Sequence, residues 1–445
     1  MTKDMRTMKY GLCLLCLVAM AVACSSDDDF VYKTDVDAGN IKLLELRSDH
    51  YMLIPDGKAT MKFYVDAYNI LELPDYSPSY DDEGKVIYIP SVKRDTSLIP
   101  TSQLPKGLVR LFDENGKEYP DMMFSTDDPT PRTLRFHLEA GELKSKELEI
   151  QIRPLPTEDY EELEIPIIFH VMQQPATPGV PTINIDTATV YKHINRMNKV
   201  FAGLATTDPN GWNAKIKFVP AVYDNSGVKL DCPGVHYYDI PSSVVFEKDD
   251  DFRNYVMEHR GALLYDYRKF LNVWLINNQK GSSTIVSAPN VIDNPDDPIP
   301  GLTTEELPDN FPENPTEVGV FVSMSYFVNP MQYDDFFEMS TVMGRYLGLL
   351  VTQISTSDKF PNFFDGDTDY CPDTSYYLAS LSVYKNNKRT ENDEDFYYFT
   401  SYNIMDGYSF KNSVTIDQVR RLRTVLERCP SRWMYKSRFA FTGEN

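Results

Sequence analysis

Short strand-like stretches of apolar and polar residues run through the first third of the chain. Alternation with a period of two residues predicts β-strands that bury one face. Turn-forming residues separate these stretches, and a loop rich in Pro, Tyr and Asp is expected at residues 74–90. We therefore predict an immunoglobulin-like β-sandwich over residues 41–155, which would serve as a spacer or as a separate binding module. The strand-like stretches are residues 59–68, 107–112, 134–138 and 148–152.

The pattern changes after residues 154–159, where two prolines and an acidic run predict a domain boundary. Continuous apolar runs then occur at residues 165–171, 271–276 and 318–323. Short runs of this kind are typical of strands that are buried on both faces. They belong to a second predicted domain, residues 160–440.

Amphipathic helices accompany these strands. Residues 187–201 carry apolar side chains at helical spacing, and Asp186 is placed to cap the first turn. Residues 415–418 match a capping box that opens a second helix. The predicted fold class is therefore α+β, a β-sandwich followed by a mixed α/β domain.

The segment Ser340–Val351 has the frame of a zinc-protease helix and lacks its functional groups. In H-E-x-x-H-x-x-G-x-x-H, two histidines one turn apart bind the metal, the glutamate activates water, and the glycine turns the chain toward a third histidine. With Gly348 as that glycine, none of the three histidines is present, nor is the glutamate. Arg345, at the second histidine position, stays protonated and repels a cation, and Val342, at the glutamate position, has no proton to transfer. The four positions are Thr341, Val342, Arg345 and Val351.

Seven segments around this helix resemble, in the same order, the pappalysin-like metzincins, in particular zinc-metalloproteinase-like lipoproteins of gut Bacteroidetes. The resemblance runs from about Glu164 to Trp433. It includes Asp369–Thr374, similar to a D-Y-x-x-D-T segment, and Asn403–Asp406, which matches the methionine turn. Residues 318–323 resemble the edge strand that lies against substrate in active relatives. The resemblance implies a metzincin-like fold for the second domain.

The missing groups imply a domain without hydrolytic activity, with no catalytic cofactor and no bound zinc. None of the six histidines forms a pair at helical spacing. His137 and His170 lie in strand-like runs and are expected to be hydrogen-bonded structural residues. Asp334 and Glu338, four residues apart, are the best carboxylate alternative for a metal in this region, or a solvated helix face.

A second metal hypothesis concerns four aspartates around a glycine. Oxygen ligands at alternate positions suit calcium, although the segment lacks the bidentate glutamate of an EF-hand loop. The two interpretations are a structural calcium site and a solvated acidic turn. The candidate ligands are Asp365, Asp367, Asp369 and Asp373.

The N-terminus predicts a lipoprotein. Residues 1–23 have a basic start and a short apolar run, too short to span a bilayer, followed by small residues before Cys24. We expect cleavage there and lipid attachment to Cys24. Residues 24–40 read as an acidic tether, and aspartates directly behind the cysteine resemble the surface-export signal of Bacteroidetes lipoproteins. The expected location is the outer face of the outer membrane, with a periplasmic orientation as the alternative.

After cleavage, three cysteines besides Cys24 remain in an oxidising compartment, which allows one disulfide and one leftover thiol. By resemblance to the family's bridges, Cys371 and Cys429 form the expected pair. Cys232 is then the free cysteine.

The net charge of −22 argues against nucleic acid as a partner, because phosphate backbones bind clustered Lys and Arg. We expect a surface lipoprotein whose inactive domain binds a polypeptide, a glycan or a membrane-protein partner. Two alternatives come from other classes: an active zinc metalloendopeptidase with non-standard ligands, and a structural or adhesion protein.

Overall fold

The computed structural model describes residues 36–80, 85–175, 182–206, 208–277, 282–329, 337–354, 369–374, 377–379, 387–390, 396–399, 401–406 and 410–444. Within these ranges the strands are β1 (Leu43–Ser48), β2 (Met52–Leu53), β3 (Met61–Tyr80), β4 (Val86–Ile99), β5 (Arg110–Asp113), β6 (Met123–Phe124), β7 (Arg132–Ala140), β8 (Leu143–Lys144), β9 (Leu148–Ile152), β10 (Leu163–Gln173), β11 (Ile216–Pro220), β12 (Val235–Asp239), β13 (Leu271–Ile276), β14 (Thr284–Val286), β15 (Gly319–Ser323), β16 (Gln353–Ile354), β17 (Tyr377–Ala379), β18 (Asn387–Thr390) and β19 (Phe396–Phe399). The α-helices are α1 (Thr187–Phe201), α2 (Asp249–Glu258), α3 (Arg260–Leu263), α4 (Met324–Val328), α5 (Met339–Tyr346), α6 (Ile416–Arg428) and α7 (Phe439–Thr442). Among them, none combines the length and the apolar character needed to cross a bilayer.

The chain divides into two compact units by its contacts. The first comprises Met1–Glu45, Val65–Leu111 and Leu138–Lys146, and the second comprises Leu46–Tyr64, Phe112–His137 and Glu147–Asn445. The immunoglobulin-like sandwich and its boundaries at residues 41 and 155 stay predictions.

A long antiparallel ladder dominates the first unit. β3 and β4 pair continuously from Ala67 and Ile99 to Tyr80 and Val86. The expected loop at residues 74–90 is therefore wrong for residues 74–80 and 86–90, which are extended strand. Prolines suggested a loop because they interrupt most strands, but they are tolerated where the backbone nitrogen faces away from the partner.

The second unit contains a mixed sheet in the order β11-β10-β13-β15-β14, with β12 also paired to β10. All its pairings are parallel except that of β14 with β15. The predicted strands at residues 165–171, 271–276 and 318–323 are confirmed as β10, β13 and β15. Mixed sheets often carry one antiparallel strand at an edge, as this one does.

The edge position predicted for residues 318–323 is wrong. β15 lies between β13 and β14, and β14 forms this edge of the sheet in the described residues. All five residues of β15 are buried, which fits an interior strand, whereas those of β14 are only half-buried.

Both faces of this sheet are covered. Leu271, Val273 and Leu275 of β13 belong to a large core that includes residues of α1, α5 and α6. Trp274 and Ile276 point to the opposite face, where a smaller core includes residues of α2. A strand whose successive side chains enter two cores reads as a continuous apolar run, which explains the sequence pattern.

The two predicted helices are confirmed with their caps. Asp186 accepts a hydrogen bond from Thr189 N, and α1 buries the apolar face that faces the sheet. Thr415 and Gln418 form the capping box at the start of α6. These caps satisfy backbone N–H groups that a helix leaves unpaired in its first turn.

Candidate functional site

Helix α5 lies in the segment predicted to have the frame of a zinc-protease helix, and it is fixed at both ends. Glu338 caps its start, where Ser340 N lies 3.5 Å from the carboxylate, and pairs with Arg196 at 3.3 Å. Gly348 follows the helix with φ +91°, a conformation that favours glycine. The predicted helix and its turn glycine are therefore confirmed. Asp334, the other half of the proposed carboxylate pair, lies outside the described residues.

The four degenerate positions divide into an accessible set and a buried one. Arg345 and Val351 are exposed and Thr341 is half-buried, whereas Val342 is buried in the large core. The Thr341 hydroxyl donates to Ile404 O at 2.7 Å, which joins α5 to the segment predicted as the methionine turn. The three positions at which the motif would require metal ligands thus present a hydroxyl, a guanidinium and an isopropyl group. Across the described residues, no group of three or more His, Cys, Asp or Glu side chains is placed to hold a metal ion.

The segment Asn403–Asp406 forms a turn directly against α5. Ile404 and Met405 are buried in the same core as the helix. A Cβ added to Gly344 would lie 3.0 Å from Ile404 Cδ1 and 3.1 Å from Met405 Sδ, closer than most real contacts. Ile404 and Met405 therefore form an apolar contact with α5, and a glycine on the helix permits their close approach. The assignment of this segment as a methionine turn stays a prediction.

A buried ion-pair cluster contains Asp373, one of the four predicted calcium ligands. Arg153 donates to Asp373 at 2.6 Å and to Asp417 at 2.9 Å, and the Asp373 side chain is 0% exposed. Asp373 also accepts from Thr415 Oγ1 at 2.7 Å and from Asp417 N at 2.9 Å. Burial, together with the nearby Asp417 carboxylate, raises the pKa of Asp373 to about 6.

The second described calcium candidate, Asp369, is also engaged by protein donors. Its carboxylate accepts from Cys371 N at 3.1 Å and from the Thr374 hydroxyl. Asp365 and Asp367 lie outside the described residues. Both described candidates therefore serve the local structure, and calcium binding stays a prediction.

Cys371 and Cys429 are both free thiols in the structure, so the predicted disulfide is not formed. Cys371 Sγ lies 3.4 Å from Asp369 O, whereas Cys429 packs in an apolar cluster with Ile292 and Val425. Burial raises the pKa of both thiols, that of Cys429 to about 11. Cys232 is free, as predicted, and half-buried.

His170 is a structural histidine, as predicted. It is fully buried between Asn272, whose Oδ1 lies 2.9 Å from Nε2, and Tyr238, whose hydroxyl lies 3.1 Å from Nδ1. Burial lowers its pKa to about 3, so the ring is neutral at physiological pH.

A polar cavity of about 60 Å³ lies beside the Asn403–Asp406 turn. A buried site needs about 10–15 Å³ of such volume per water molecule, so the cavity has room for a few. Asn210, 2% exposed, donates to Met52 O at 2.9 Å, while its Oδ1 has no protein partner. The lining residues are Asp49, His50, Tyr51, Met52, Asp208, Asn210, Pro372, Asp373, Thr374, Ser401, Tyr402, Asn403, Asp406 and Thr415.

Sequence reasoning missed this cavity and the Arg153 cluster. Arg153 and Asp373 are 220 positions apart, and the cavity residues come from well-separated segments. Local signals marked part of the lining: the Asp369–Thr374 segment supplies three of its residues, the Asn403–Asp406 segment supplies two, and the capping box supplies Thr415. Cys24 lies outside the described residues.

No family model and no curated protein matches the chain. Among solved structures, it is similar to mirolysin, a Tannerella metallopeptidase. Mature Tannerella forsythia mirolysin with a cleaved peptide has a TM-score of 0.42 and 17% identity, over 63% of this chain and 98% of that one. A point mutant of T. forsythia promirolysin has a TM-score of 0.43 and 18% identity, over 64% of this chain and 86% of that one. Mirolysin in complex with compound 9 has a TM-score of 0.43 and 17% identity, over 64% of this chain and 98% of that one.

Proposed function

We propose that residues 160–440 form a metzincin-like domain that binds an extended polypeptide without hydrolysing it, in a surface lipoprotein anchored through Cys24. The observation that carries this proposal is the chemistry of the accessible positions on and after α5. Thr341, Arg345 and Val351 can be reached from solvent, yet no side chain among them binds zinc. The guanidinium of Arg345 would repel a cation at any working pH.

The edge strand β14 supports an extended polypeptide as the ligand. In the described part of the sheet its one strand neighbour is β15, and α5 packs beside it. An edge strand presents N–H and C=O groups that an added peptide strand can pair with. Such binding uses backbone hydrogen bonds and requires no catalytic residue.

Metal content separates this proposal from an active metalloendopeptidase with non-standard ligands. The chain from Ser25 onward would be exposed to micromolar zinc and calcium, freed of unbound ions, and measured by elemental mass spectrometry. We expect no stoichiometric zinc. Near one zinc per chain, together with peptide cleavage that a chelator abolishes, would establish the enzyme alternative.

Restoring histidines tests whether α5 occupies the place of a zinc-protease helix. The variant Thr341→His/Arg345→His/Val351→His should bind about one zinc, because all three positions are accessible and two lie one helical turn apart. Co²⁺ absorption would report the coordination. A matched control places the third histidine at another accessible position, Leu350→His. A folded triple variant that binds no more metal than this control contradicts the metzincin assignment.

Amide hydrogen exchange tests whether an extended peptide binds along β14. Unstructured peptides from a random library, selected for binding, should slow amide exchange at Thr284–Val286 and leave buried β13 unchanged. Peptide binding without protection at β14 would contradict the edge-strand mode. If no peptide binds, the glycan, membrane-protein, and structural or adhesion alternatives replace the polypeptide.

A further inference from the structure

The β3–β4 hairpin presents an unusually apolar surface. Its fourteen consecutive pairs extend from Ala67 and Ile99 to Tyr80 and Val86. Near the start of this ladder, Lys42 N bonds to Tyr68 O, where β1 runs beside β3. Beyond that point, in the described residues, the strands of the hairpin have only each other as strand partners.

One face of the distal half of the hairpin carries no charge. Residues directly opposite each other in a ladder share a face, and alternate residues along a strand do as well. We call this surface the tyrosine face. Its members are Pro74, Tyr76, Pro78, Tyr80, Val86, Tyr88, Pro90 and Val92. The opposite face carries Asp75, Lys93 and three serines, with the apolar residues Leu73, Ile87 and Ile89.

The tyrosine face is open to solvent and large. Tyr76, Tyr80 and Tyr88 are 62%, 73% and 68% exposed. A buried aromatic side chain removes about 150–250 Å² from water, so these three rings alone expose on the order of 400 Å². Valines and prolines extend the patch to a size at which an exposed apolar surface often marks a binding site.

The prolines disfavour a partner that adds a strand to either edge of the hairpin, and they leave the tyrosine face as the surface open to contact. Residue pairs in an antiparallel ladder alternate between hydrogen-bonded and non-hydrogen-bonded pairs. The three pairs that contain a proline are two positions apart along the ladder, so all three are of the same type. Since proline has no N–H, these are the pairs whose backbone nitrogen points outward. Pro74, Pro78 and Pro90 therefore remove edge donors from both strands and block the addition of a further strand.

The charges near the tyrosine face help to decide between a lipid surface and a second copy of the chain as its partner. The acidic residues Asp81, Asp82 and Glu83 between the two strands oppose insertion into a lipid surface. A second copy of the chain has the same net charge of −22, which would repel the first. At physiological salt, however, charges more than about 8 Å apart are largely screened, and the tyrosine face itself contains no charged residue. The next pair along this face, Glu72 with Arg94, is an ion pair at 3.1 Å and is internally neutral.

We propose that the tyrosine face is a dimer interface between two copies of this chain. Face-to-face contact of two such patches removes on the order of 1,000 Å² from water, the lower bound for a specific interface. The contact is isologous, because each copy uses the same patch. Tyr76 lies opposite Pro90, and Tyr88 lies opposite Pro78. The compact proline side chain beside each tyrosine leaves space for a tyrosine of the second copy.

Sedimentation equilibrium on the chain from Ser25 onward tests this interface between 1 and 100 µM protein, at low and high NaCl. We expect a reversible dimer that tightens with salt, because salt screens the repulsion between two anionic chains and does not weaken apolar contact. A chain that remains monomeric at 100 µM overturns the proposal, as does a dimer that salt dissociates.

The variant Tyr76→Ser/Tyr88→Ser should weaken the dimer by roughly thirtyfold or more, since central aromatic residues contribute most of the binding free energy. Its matched control, Ile87→Ser/Ile89→Ser, alters the opposite face, where the two residues are 40% and 49% exposed. The control should dimerise like the wild type, with both variants keeping the wild-type circular dichroism. Equal loss of dimer in both variants overturns the assignment to the tyrosine face.

Discussion

Asn403 and Gln418 exchange two hydrogen bonds between their side-chain amides. Asn403 Nδ2 donates to Gln418 Oε1 at 2.9 Å, and Gln418 Nε2 donates to Asn403 Oδ1 at 3.0 Å. Each amide also serves its own element, because Gln418 Oε1 accepts from Thr415 N and Asn403 Oδ1 accepts from Met405 N. The pair therefore ties the turn beneath α5 to the start of α6 and leaves no amide group in it unsatisfied.

Breaking this pair should destabilise the second unit. Asn403→Ala removes the acceptor of the buried Gln418 Nε2 and of Met405 N, and we expect a loss of about 2–3 kcal/mol in the free energy of unfolding. Urea denaturation of both single variants and the double variant Asn403→Ala/Gln418→Ala would give the coupling energy, expected at about 1–2 kcal/mol. Additive single effects would show that the two amides stabilise their own elements independently.

The raised pKa of Asp373 predicts a defined pH dependence. A carboxyl group whose pKa is about 6 in the folded chain and near 3.8 otherwise favours folding most when it is protonated. Its contribution is complete below pH 4 and is lost as the pH rises through 6. The free energy of unfolding of the wild type, relative to Asp373→Asn, should therefore fall between pH 4 and pH 6 in urea titrations.

Asp186→Asn provides a control for that measurement. The helix-capping hydrogen bonds to Thr189 lower the pKa of Asp186, so its contribution is present above the unfolded pKa near 3.8 and is lost only as the pH falls below that value. The free energy of unfolding of the wild type, relative to Asp186→Asn, should therefore stay nearly constant between pH 4 and pH 6. A wild-type minus Asp373→Asn difference that stays flat or rises between pH 4 and 6 would show that Arg153 outweighs burial at Asp373.

Local patterns predicted the elements that carry their own signals. The bounds of α1 and β13 match the predicted residues because helical spacing, a capping aspartate and an uninterrupted apolar run are all local. Sheet order is not local. Nothing in residues 318–323 indicates that the three-residue strand Thr284–Val286 covers their outer edge.

The prolines of the hairpin and the partners of Asp373 show two other limits. Pro74 and Pro90 predicted a loop, but their register places both backbone nitrogens at the outer edge of a ladder. Arg153 neutralises Asp373 from 220 positions away, and no spacing rule connects them. The frame of the candidate site could be predicted because a glycine and apolar residues mark it locally, whereas the polar network around it depends on tertiary structure.

Gly348 should be among the most sensitive glycines of the second unit. With φ +91°, a side chain there is strained, and its Cβ would lie 2.7 Å from Val425 Cγ2 on α6. The left-handed conformation alone costs about 1–2 kcal/mol for a non-glycine residue, and the overlap adds about 1–3 kcal/mol. Urea denaturation of Gly348→Ala should show both terms.

Gly107→Ala measures the conformational cost alone, without the steric overlap. Gly107 has φ +80° and no heavy atom within 4 Å of an added Cβ, so only the conformational cost applies. Gly348→Ala should therefore lose more stability than Gly107→Ala. Equal losses would mean that α6 moves away from the turn at little cost.

Thiol counting tests the state of the cysteines. The chain from Ser25 onward has three cysteines, and the structure shows all of them free. Denatured protein purified without reductant should therefore react with three equivalents of Ellman's reagent, whereas a bridge between Cys371 and Cys429 would leave one. In the folded chain half-buried Cys232 should react first, because burial keeps the other two thiols protonated and inaccessible. The substitution Cys232→Ser should remove the fast phase and leave the slow one, and a fast phase that survives it would place a second thiol at the surface.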